Sequence, residues 1–288
     1  MKKLFTFPNV MLGLGLLFLY VPIFSMIVYS FNHSRLVTVW DSANSPSLKW
    51  YGELFRNEEM LAGAWLSLRV ALMAATAAAV LGTLAGLVLA RFGPFRGRAL
   101  LQGLTTAPLV MPEVITGLSM LLLFVSMEQL LQALFGIQFD RGILTITLAH
   151  ITFTMAYVTV VVQSRLVGFD DSLEEAALDL GARPAKVFFR ITLPLITPAI
   201  LSGWLLAFTL SWDDVVVSQF TGGPGYDTLP VVVFGKVKRG VNPSFNALAT
   251  LMMLIVATGV VVSYILMKRA GKKREREMRM AEAGANQP

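Results

Sequence analysis

Six apolar stretches, each long enough to form a membrane-spanning helix, recur along the sequence. A helix needs about 20 predominantly apolar residues to cross a hydrocarbon core of about 30 Å. Inside that core each backbone polar group needs a partner within the protein, which favours helices. The stretches cover approximately residues 9–31, 64–90, 103–126, 142–163, 196–217 and 245–267. We therefore predict an all-α membrane protein with six transmembrane helices.

The composition supports a membrane protein and argues against several other classes. Hydrophobic residues make up 55% of the chain and charged residues only 15%, against about 25% charged residues in soluble domains. The chain has no cysteine and two histidines, His33 and His150, which lie far apart in the sequence. We therefore predict no metal site and no catalytic residue, and interpret the isolated His150 as a packing residue.

Basic residues outside the apolar stretches indicate which loops face the cytoplasm. Most lie before the first stretch, after the second, between the fourth and fifth, and after the sixth. Because cytoplasmic loops are enriched in Lys and Arg, both termini are predicted to be cytoplasmic. We expect an N-terminal helix with the first outside loop (1–60), a transmembrane core (61–266) and a basic tail (267–288). The basic residues of that tail favour a membrane anchor over nucleic-acid binding: Lys268, Arg269, Lys272, Lys273, Arg274, Arg276 and Arg279.

The loop between the fourth and fifth stretches, residues 170–194, is predicted to form two short helices joined by a turn. Ser172 or Asp171 is suited to cap the first helix. Gly181 is suited to a left-handed turn at its end, and Pro184 to the first position of the next helix.

The first of these two helices carries a small apolar face beside acidic residues. Leu173, Ala176, Ala177 and Leu180 recur at a spacing of three and four residues, which places them on one side of a helix. We interpret this face as a docking surface. The alternative, a helix lying on lipid, is disfavoured because interfacial helices usually carry Lys and Arg, whereas this one carries acids: Asp170, Asp171, Glu174, Glu175 and Asp179.

The order Glu175-Ala176-Ala177, then Gly181, then Ile191 and Leu193-Pro194, resembles the EAA loop of ABC importer permeases. This resemblance implies the type-1 ABC importer permease fold. It also implies that the loop forms a coupling helix seated in a groove of a cytoplasmic ATPase. The contacting residues would be Leu173, Glu175, Ala176, Ala177, Leu180 and Gly181. The sequence has no Gly-rich phosphate-binding loop, so we expect it to bind no cofactor, with ATP and Mg on the partner ATPase subunits.

Four other segments, residues 107–117, 208–218, 222–225 and 241–250, look like those of putrescine and spermidine permeases, and most like the smaller putrescine permeases. The resemblance implies a multi-pass protein of the bacterial inner membrane that imports polyamines. Its implied partners are a second, related permease, two copies of an ABC ATPase and a soluble periplasmic polyamine-binding protein. Trp212 departs from this family, in which a smaller apolar residue is usual.

Three acids within the apolar stretches are candidates for the substrate pathway. An acid inside a transmembrane span is costly and suggests a function. Glu113 lies about ten residues into the third stretch, close to the expected midplane, and Pro108 and Pro112 predict a kink or break beside it. Asp213 and Asp214 are adjacent, so on a helix they point about 100° apart and we expect one of them to face the pathway. Purely structural roles for these acids are the alternative.

Aromatic residues complete the candidate pathway, because ring faces attract ammonium groups. The candidates are Tyr157, Trp204, Phe208 and Trp212. Packing is the alternative for Trp204 and Phe208. The same fold importing another small solute, such as an iron complex or another cation, is the alternative function. An anion is disfavoured because the stretches hold acids where an anion carrier would place arginines.

Overall fold

The computed structural model describes residues 7–36, 39–168, 170, 172–240, 242–258, 261 and 265. The predicted basic tail, together with Lys2, Lys3 and Asp171, lies outside these residues. No strand occurs in the part that is described. Its helices are α1 (Phe7–Ser30), α2 (Lys49–Phe55), α3 (Glu58–Arg91), α4 (Arg98–Val110), α5 (Glu113–Phe135), α6 (Ile143–Val167), α7 (Ser172–Asp179), α8 (Pro184–Val187), α9 (Leu193–Trp212), α10 (Val216–Thr221), α11 (Leu229–Arg239) and α12 (Ser244–Thr258).

The prediction of an all-α membrane protein is confirmed. Among the described residues, five helical runs are long and apolar enough to cross a membrane: α1, α3, α5, α6 and the run Pro184–Trp212. That run joins α8 to α9 through a π-helical turn, Phe188–Thr192. The predicted sixth stretch begins as the shorter apolar helix α12, and its remaining part lies largely beyond the described residues. Six transmembrane helices are consistent with this arrangement.

The third apolar stretch is two helices, so its prediction as one span over 103–126 is wrong. Helix α4 ends at Val110, Met111 is extended, and α5 begins at Glu113. Pro112 causes the break, because a proline disfavours helical conformation in the residue before it. The predicted break beside Glu113 is therefore confirmed. However, Glu113 is the first residue of a spanning helix rather than its tenth.

Helix α9, which forms the fifth apolar stretch, also ends earlier than expected, at Trp212 rather than near residue 217. Residues 213–215 form a break, after which α10 begins. The carboxylate of Asp214 stabilises the start of α10. It accepts hydrogen bonds from the backbone N–H groups of Val217 and Ser218, at 3.2 and 2.6 Å. An acid in this position satisfies donors that the first turn of α10 would otherwise leave without partners.

Residues 58–235 form one compact unit whose core lies between α3, α6 and α9. Small residues allow α3 and α6 to approach closely. A Cβ atom on Gly82 would lie 2.7 Å from Cβ of Val158, and one on Gly86 would lie 3.1 Å from the Thr159 carbonyl oxygen. The core side chains are Ala75, Ala78, Val158, Val162, Leu166, Ile196 and Ala207. This tight packing gives the unit a rigid frame for the helix breaks.

A second compact unit comprises described residues up to Asn57 and from Lys236 onward. In it, α1 leaves its apolar side chains exposed, as expected for a helix that contacts lipid. Buried Asn32 organises the loop that follows. Its Nδ2 donates to the Val39 carbonyl at 2.7 Å, and its own carbonyl accepts from Trp50 Nε1 at 2.6 Å.

Candidate functional site

The two helix breaks line one cavity of about 430 Å³. The break between α4 and α5 forms one part of its wall, the break between α9 and α10 another, and α6 supplies aromatic rings. Its lining residues are Pro108, Leu109, Met111, Glu113, Thr116, Phe153, Tyr157, Leu210, Asp213, Asp214, Val215 and Val217. Acids and rings in one cavity provide the elements of a cation site.

The structure brings four of the predicted pathway residues into this cavity. Glu113, Tyr157, Asp213 and Asp214 all line it. Glu113 and Asp213 are exposed, whereas the Asp214 side chain is only 6% exposed and bonded to the start of α10. The adjacent acids therefore have different surroundings: Asp213 is open to a ligand, and the oxygens of Asp214 are occupied by protein donors.

The other three predicted pathway residues do not line this cavity. Trp204, Phe208 and Trp212 stack along α9, with ring centroids 5.5 and 5.9 Å apart. Trp204 Nε1 also donates a hydrogen bond to Thr76 Oγ1 at 3.2 Å. These contacts favour the packing alternative for Trp204 and Phe208. Their cause is the spacing of four residues, which places all three rings on one side of α9.

His150 belongs to the surroundings of this cavity, although the sequence suggested no partner for it. It is fully buried in α6, with Nδ1 2.6 Å from Ser211 Oγ and Nε2 3.3 Å from Asp214 Oδ2. The sequence spacing could have linked His150 to the cavity: Phe153 and Tyr157 follow His150 by three and seven residues, and both line the cavity. That spacing places the three side chains on one side of the helix.

In the predicted hairpin between the fourth and fifth stretches, the first helix and the turn are confirmed, whereas the second helix is the beginning of the run Pro184–Trp212 rather than a separate short helix. Gly181 has φ +81°, in the left-handed region, and Pro184 begins α8. The N–H groups of Gly181 and Ala182 donate to the carbonyls of Leu178 and Ala177, at 2.8 and 3.0 Å. This pair of bonds closes the end of α7 as a Schellman motif, for which glycine is preferred.

At the other end of α7, the side chain of Asp170 rather than that of the predicted Ser172 accepts a hydrogen bond from the helix. Asp170 Oδ1 accepts a hydrogen bond from the Ser172 N–H at 3.0 Å. Ser172 is therefore the first residue of the helix rather than its cap, and Asp171 lies outside the described residues. The bond from the Ser172 backbone lowers the pKa of Asp170 below its usual value.

The apolar face of α7 has few contacts with its own chain. Leu180 is 89% exposed and Leu173 is 52% exposed. Glu175 and Ala176 are exposed beside them, and Ala177 is half-buried. An exposed apolar face of this kind is typical of a surface that another protein covers.

Glu174 points away from that face and joins α7 to the rest of the unit. Its Oε1 accepts a hydrogen bond from Thr192 Oγ1 at 2.6 Å and lies 3.5 Å from a guanidinium nitrogen of Arg91. Thr192 lies where α9 begins, and Arg91 ends α3. We call these two contacts of Glu174 the Glu174 strut. They connect the hairpin to two helices of the core. The sequence did not predict them.

Several known proteins are similar to this chain over most of its length. Residues 82–276 match the family described as "Binding-protein-dependent transport system inner membrane component". The chain is 55% identical over 275 residues to the putrescine transport system permease protein PotI of Escherichia coli (strain K12), covering 96% of this chain and 95% of that protein. It is 40% identical to the spermidine/putrescine transport system permease protein PotC of the same strain, over 86% of this chain and 89% of that one.

A solved structure with a similar fold is a bacterial ABC transporter involved in the import of the acidic polysaccharide alginate. The TM-score is 0.65 at 15% identity, covering 91% of this chain and 94% of that one. An amino acid ABC transporter gives a TM-score of 0.51 at 16% identity, over 75% of this chain and 96% of that one. At these identities the likeness concerns the fold, which is that of ABC transporter membrane subunits.

Proposed function

The chain belongs to the family of binding-protein-dependent transport system inner membrane components, and we propose that it is a permease subunit of an ATP-driven importer of polyamines, putrescine first. The observation that carries this proposal is its similarity, along nearly the whole chain, to a permease named for putrescine transport. The cavity adds independent support, because its chemistry suits a flexible dication.

Charge and ring placement favour a cation over an anion in the cavity. Glu113 and Asp213 offer exposed carboxylates, and Tyr157 and Phe153 contribute rings to the same wall. None of the residues that line this cavity in the described part of the chain is Lys or Arg. A few carboxylates hold a diamine without trapping it, because each site must bind the substrate strongly enough to admit it and weakly enough to release it.

We infer the remaining subunits from the membership of the family. A second, related permease would complete the pathway, two copies of a cytoplasmic ABC ATPase would bind ATP and Mg, and a soluble periplasmic protein would deliver the polyamine. The exposed face of α7 would sit in a groove of the ATPase. Both termini would then be cytoplasmic, in a multi-pass protein of the bacterial inner membrane.

Transport would proceed by alternating access. ATP binding closes the two ATPase subunits on each other and moves the coupling helices that rest in them. Because the Glu174 strut joins α7 to the end of α3 and the beginning of α9, this movement reaches α9, which lines the cavity near its other end with Leu210. The two permeases then rock so that the cavity opens to one side of the membrane at a time.

Uptake by the purified complex tests the proposal. The chain, its partner permease and the ATPase are reconstituted in liposomes, and labelled putrescine is supplied with its binding protein. We expect accumulation that requires ATP, that excess spermidine reduces and that an inorganic anion leaves unchanged. Accumulation of an iron complex or another cation in place of putrescine would support the alternative cargo instead.

The Glu174 strut gives a separate prediction about coupling. Thr192→Val keeps the shape of the side chain but removes the hydroxyl that donates to Glu174. We expect ATP hydrolysis to continue while the putrescine transported per ATP falls several-fold, because a lost hydrogen bond to a charged group costs about 1.5–3 kcal/mol. The ratio of uptake to phosphate release in liposomes measures this effect.

Thr197→Val is the matched control for this prediction. The Thr197 hydroxyl is exposed and donates to the Leu193 carbonyl of its own helix, so the same substitution there is expected to leave the ratio unchanged. An unchanged ratio for Thr192→Val would mean that the strut has no part in coupling.

A further inference from the structure

The cavity holds two adjacent acids with different capacities to bind a ligand. Asp214 Oδ1 accepts from the Val217 N–H at 3.2 Å, and its Oδ2 accepts from the Ser218 N–H at 2.6 Å. The same Oδ2 lies 3.3 Å from His150 Nε2. The Asp213 carboxylate is exposed in the same cavity. A carboxylate whose lone pairs are already occupied has less to offer an ammonium group.

His150 reaches both sides of the break that contains these acids. Its Nδ1 lies 2.6 Å from Ser211 Oγ, near the end of α9, and its Nε2 lies 3.1 Å from Ser218 Oγ in α10. With the proton on Nε2, this N–H donates to Ser218 Oγ, with Asp214 Oδ2 beside it at 3.3 Å, and Nδ1 accepts from the Ser211 hydroxyl. Each ring nitrogen then has a partner of the right kind, as a fully buried imidazole requires.

The position of this ring has a consequence for Asp213. Ser211 lies two residues before Asp213, and Asp214 follows it directly, so His150 holds the chain on both sides of the exposed acid. Helix α6, which carries His150, packs in the core against α3 and α9. The contacts with His150 therefore fix residues 213–215 relative to the rigid core. A ligand-binding group such as the Asp213 carboxylate needs support of this kind to hold a defined position.

We propose that His150 is a positioning residue of the cation site: by holding Ser211 and Asp214 it fixes the break between α9 and α10, so that Asp213 is presented to the ligand while Asp214 serves as an anchor. This proposal rests on the proposed function in one respect, that the ligand is the ammonium end of a polyamine. It assigns unequal roles to the two acids, Asp213 contacting the ammonium group and Asp214 contacting the protein.

The test compares His150→Ala and His150→Gln in the reconstituted complex. Initial rates of putrescine uptake are measured over a range of concentrations. We expect His150→Ala to raise the KM for putrescine about tenfold or more, with a much smaller effect on the maximal rate. His150→Gln, whose amide can still donate to Asp214, is expected to recover most of the lost affinity.

Thr159→Ala is the control for a change that affects packing alone. Thr159 is also buried in α6, and its hydroxyl donates to the Met155 carbonyl of the same helix. We expect the KM of the Thr159→Ala variant for putrescine to equal that of the wild type. The proposal is overturned if His150→Ala leaves the KM unchanged, if His150→Gln is as impaired as His150→Ala, or if both lower only the maximal rate.

If the cargo is not a polyamine, the result differs from the one expected if only the role of His150 is wrong. A wild-type complex that accumulates another cation in place of putrescine would overturn the polyamine assignment. The same three variants measured with that cation would still decide the role of His150, because the KM comparison depends on the ligand's positive charge and not on its identity.

Discussion

Replacing Leu180 with aspartate is expected to abolish ATP-driven uptake while leaving the protein in the membrane. Leu180 is 89% exposed at the turn of the hairpin, so the folded chain loses few contacts through this change. In the assembled transporter the same position would be covered by the ATPase, where an uncompensated carboxylate costs several kcal/mol. Because each 1.4 kcal/mol corresponds to a factor of ten, we expect the affinity for the ATPase to fall about a hundredfold or more.

Two measurements check this prediction: uptake of labelled putrescine by cells, and the amount of ATPase that co-purifies with the tagged permease. Ile137→Asp is a matched control, because Ile137 is also exposed, at 52%, in the loop after α5, which lies on the other side of the membrane in the predicted topology. The control is expected to retain the ATPase. Normal co-purification of the ATPase with Leu180→Asp would contradict the assignment of α7 as the docking surface.

Neutralising the two exposed acids of the cavity, Glu113 and Asp213, is expected to lower putrescine transport strongly. Each of the single changes Glu113→Gln and Asp213→Asn should lower kcat/KM for putrescine about tenfold or more, because each removes a charge-assisted hydrogen bond to an ammonium group. The double variant should be weaker still. Association with the ATPase should be unaffected, since neither residue belongs to the hairpin.

Glu128, an acid in the same helix as Glu113, provides the control for this prediction. Glu128 lies in α5 but is not among the residues that line the cavity, so Glu128→Gln is expected to transport putrescine normally. Unchanged uptake by the Glu113 and Asp213 variants would instead support structural roles for these acids. Equal loss in all three variants would point to a general effect of charge on the membrane protein.

The features that local sequence predicted well are those that neighbouring residues determine. Gly181 and Pro184 set the turn and the second helix of the hairpin through their own backbone preferences, and the structure has both. Pro112 indicated a break beside Glu113 for the same reason. In contrast, the limits of the third and fifth apolar stretches were misjudged, because apolar residues resume after each break and the length of an apolar stretch does not show where a helix stops.

Features that depend on distant residues could not be predicted in this way. The bonds of His150 to Ser211 and Ser218 join residues 61 and 68 positions apart. Glu174 finds Thr192 only because the hairpin folds back on the π-helical turn. The sequence predicted that one of Asp213 and Asp214 faces the pathway but gave no reason to choose between them, since the difference comes from what each carboxylate contacts.

The sequence by itself determined that this chain is a helical membrane protein with a short acidic hairpin, because hydrophobic length and turn chemistry are written in consecutive residues. Only the tertiary structure decided which acids share a cavity, which of the adjacent pair is free to bind, and which aromatic rings pack together along α9. The physical reason is that a side chain's hydrogen bonds and exposure depend on the helices packed around it, and that packing brings together residues far apart in the chain.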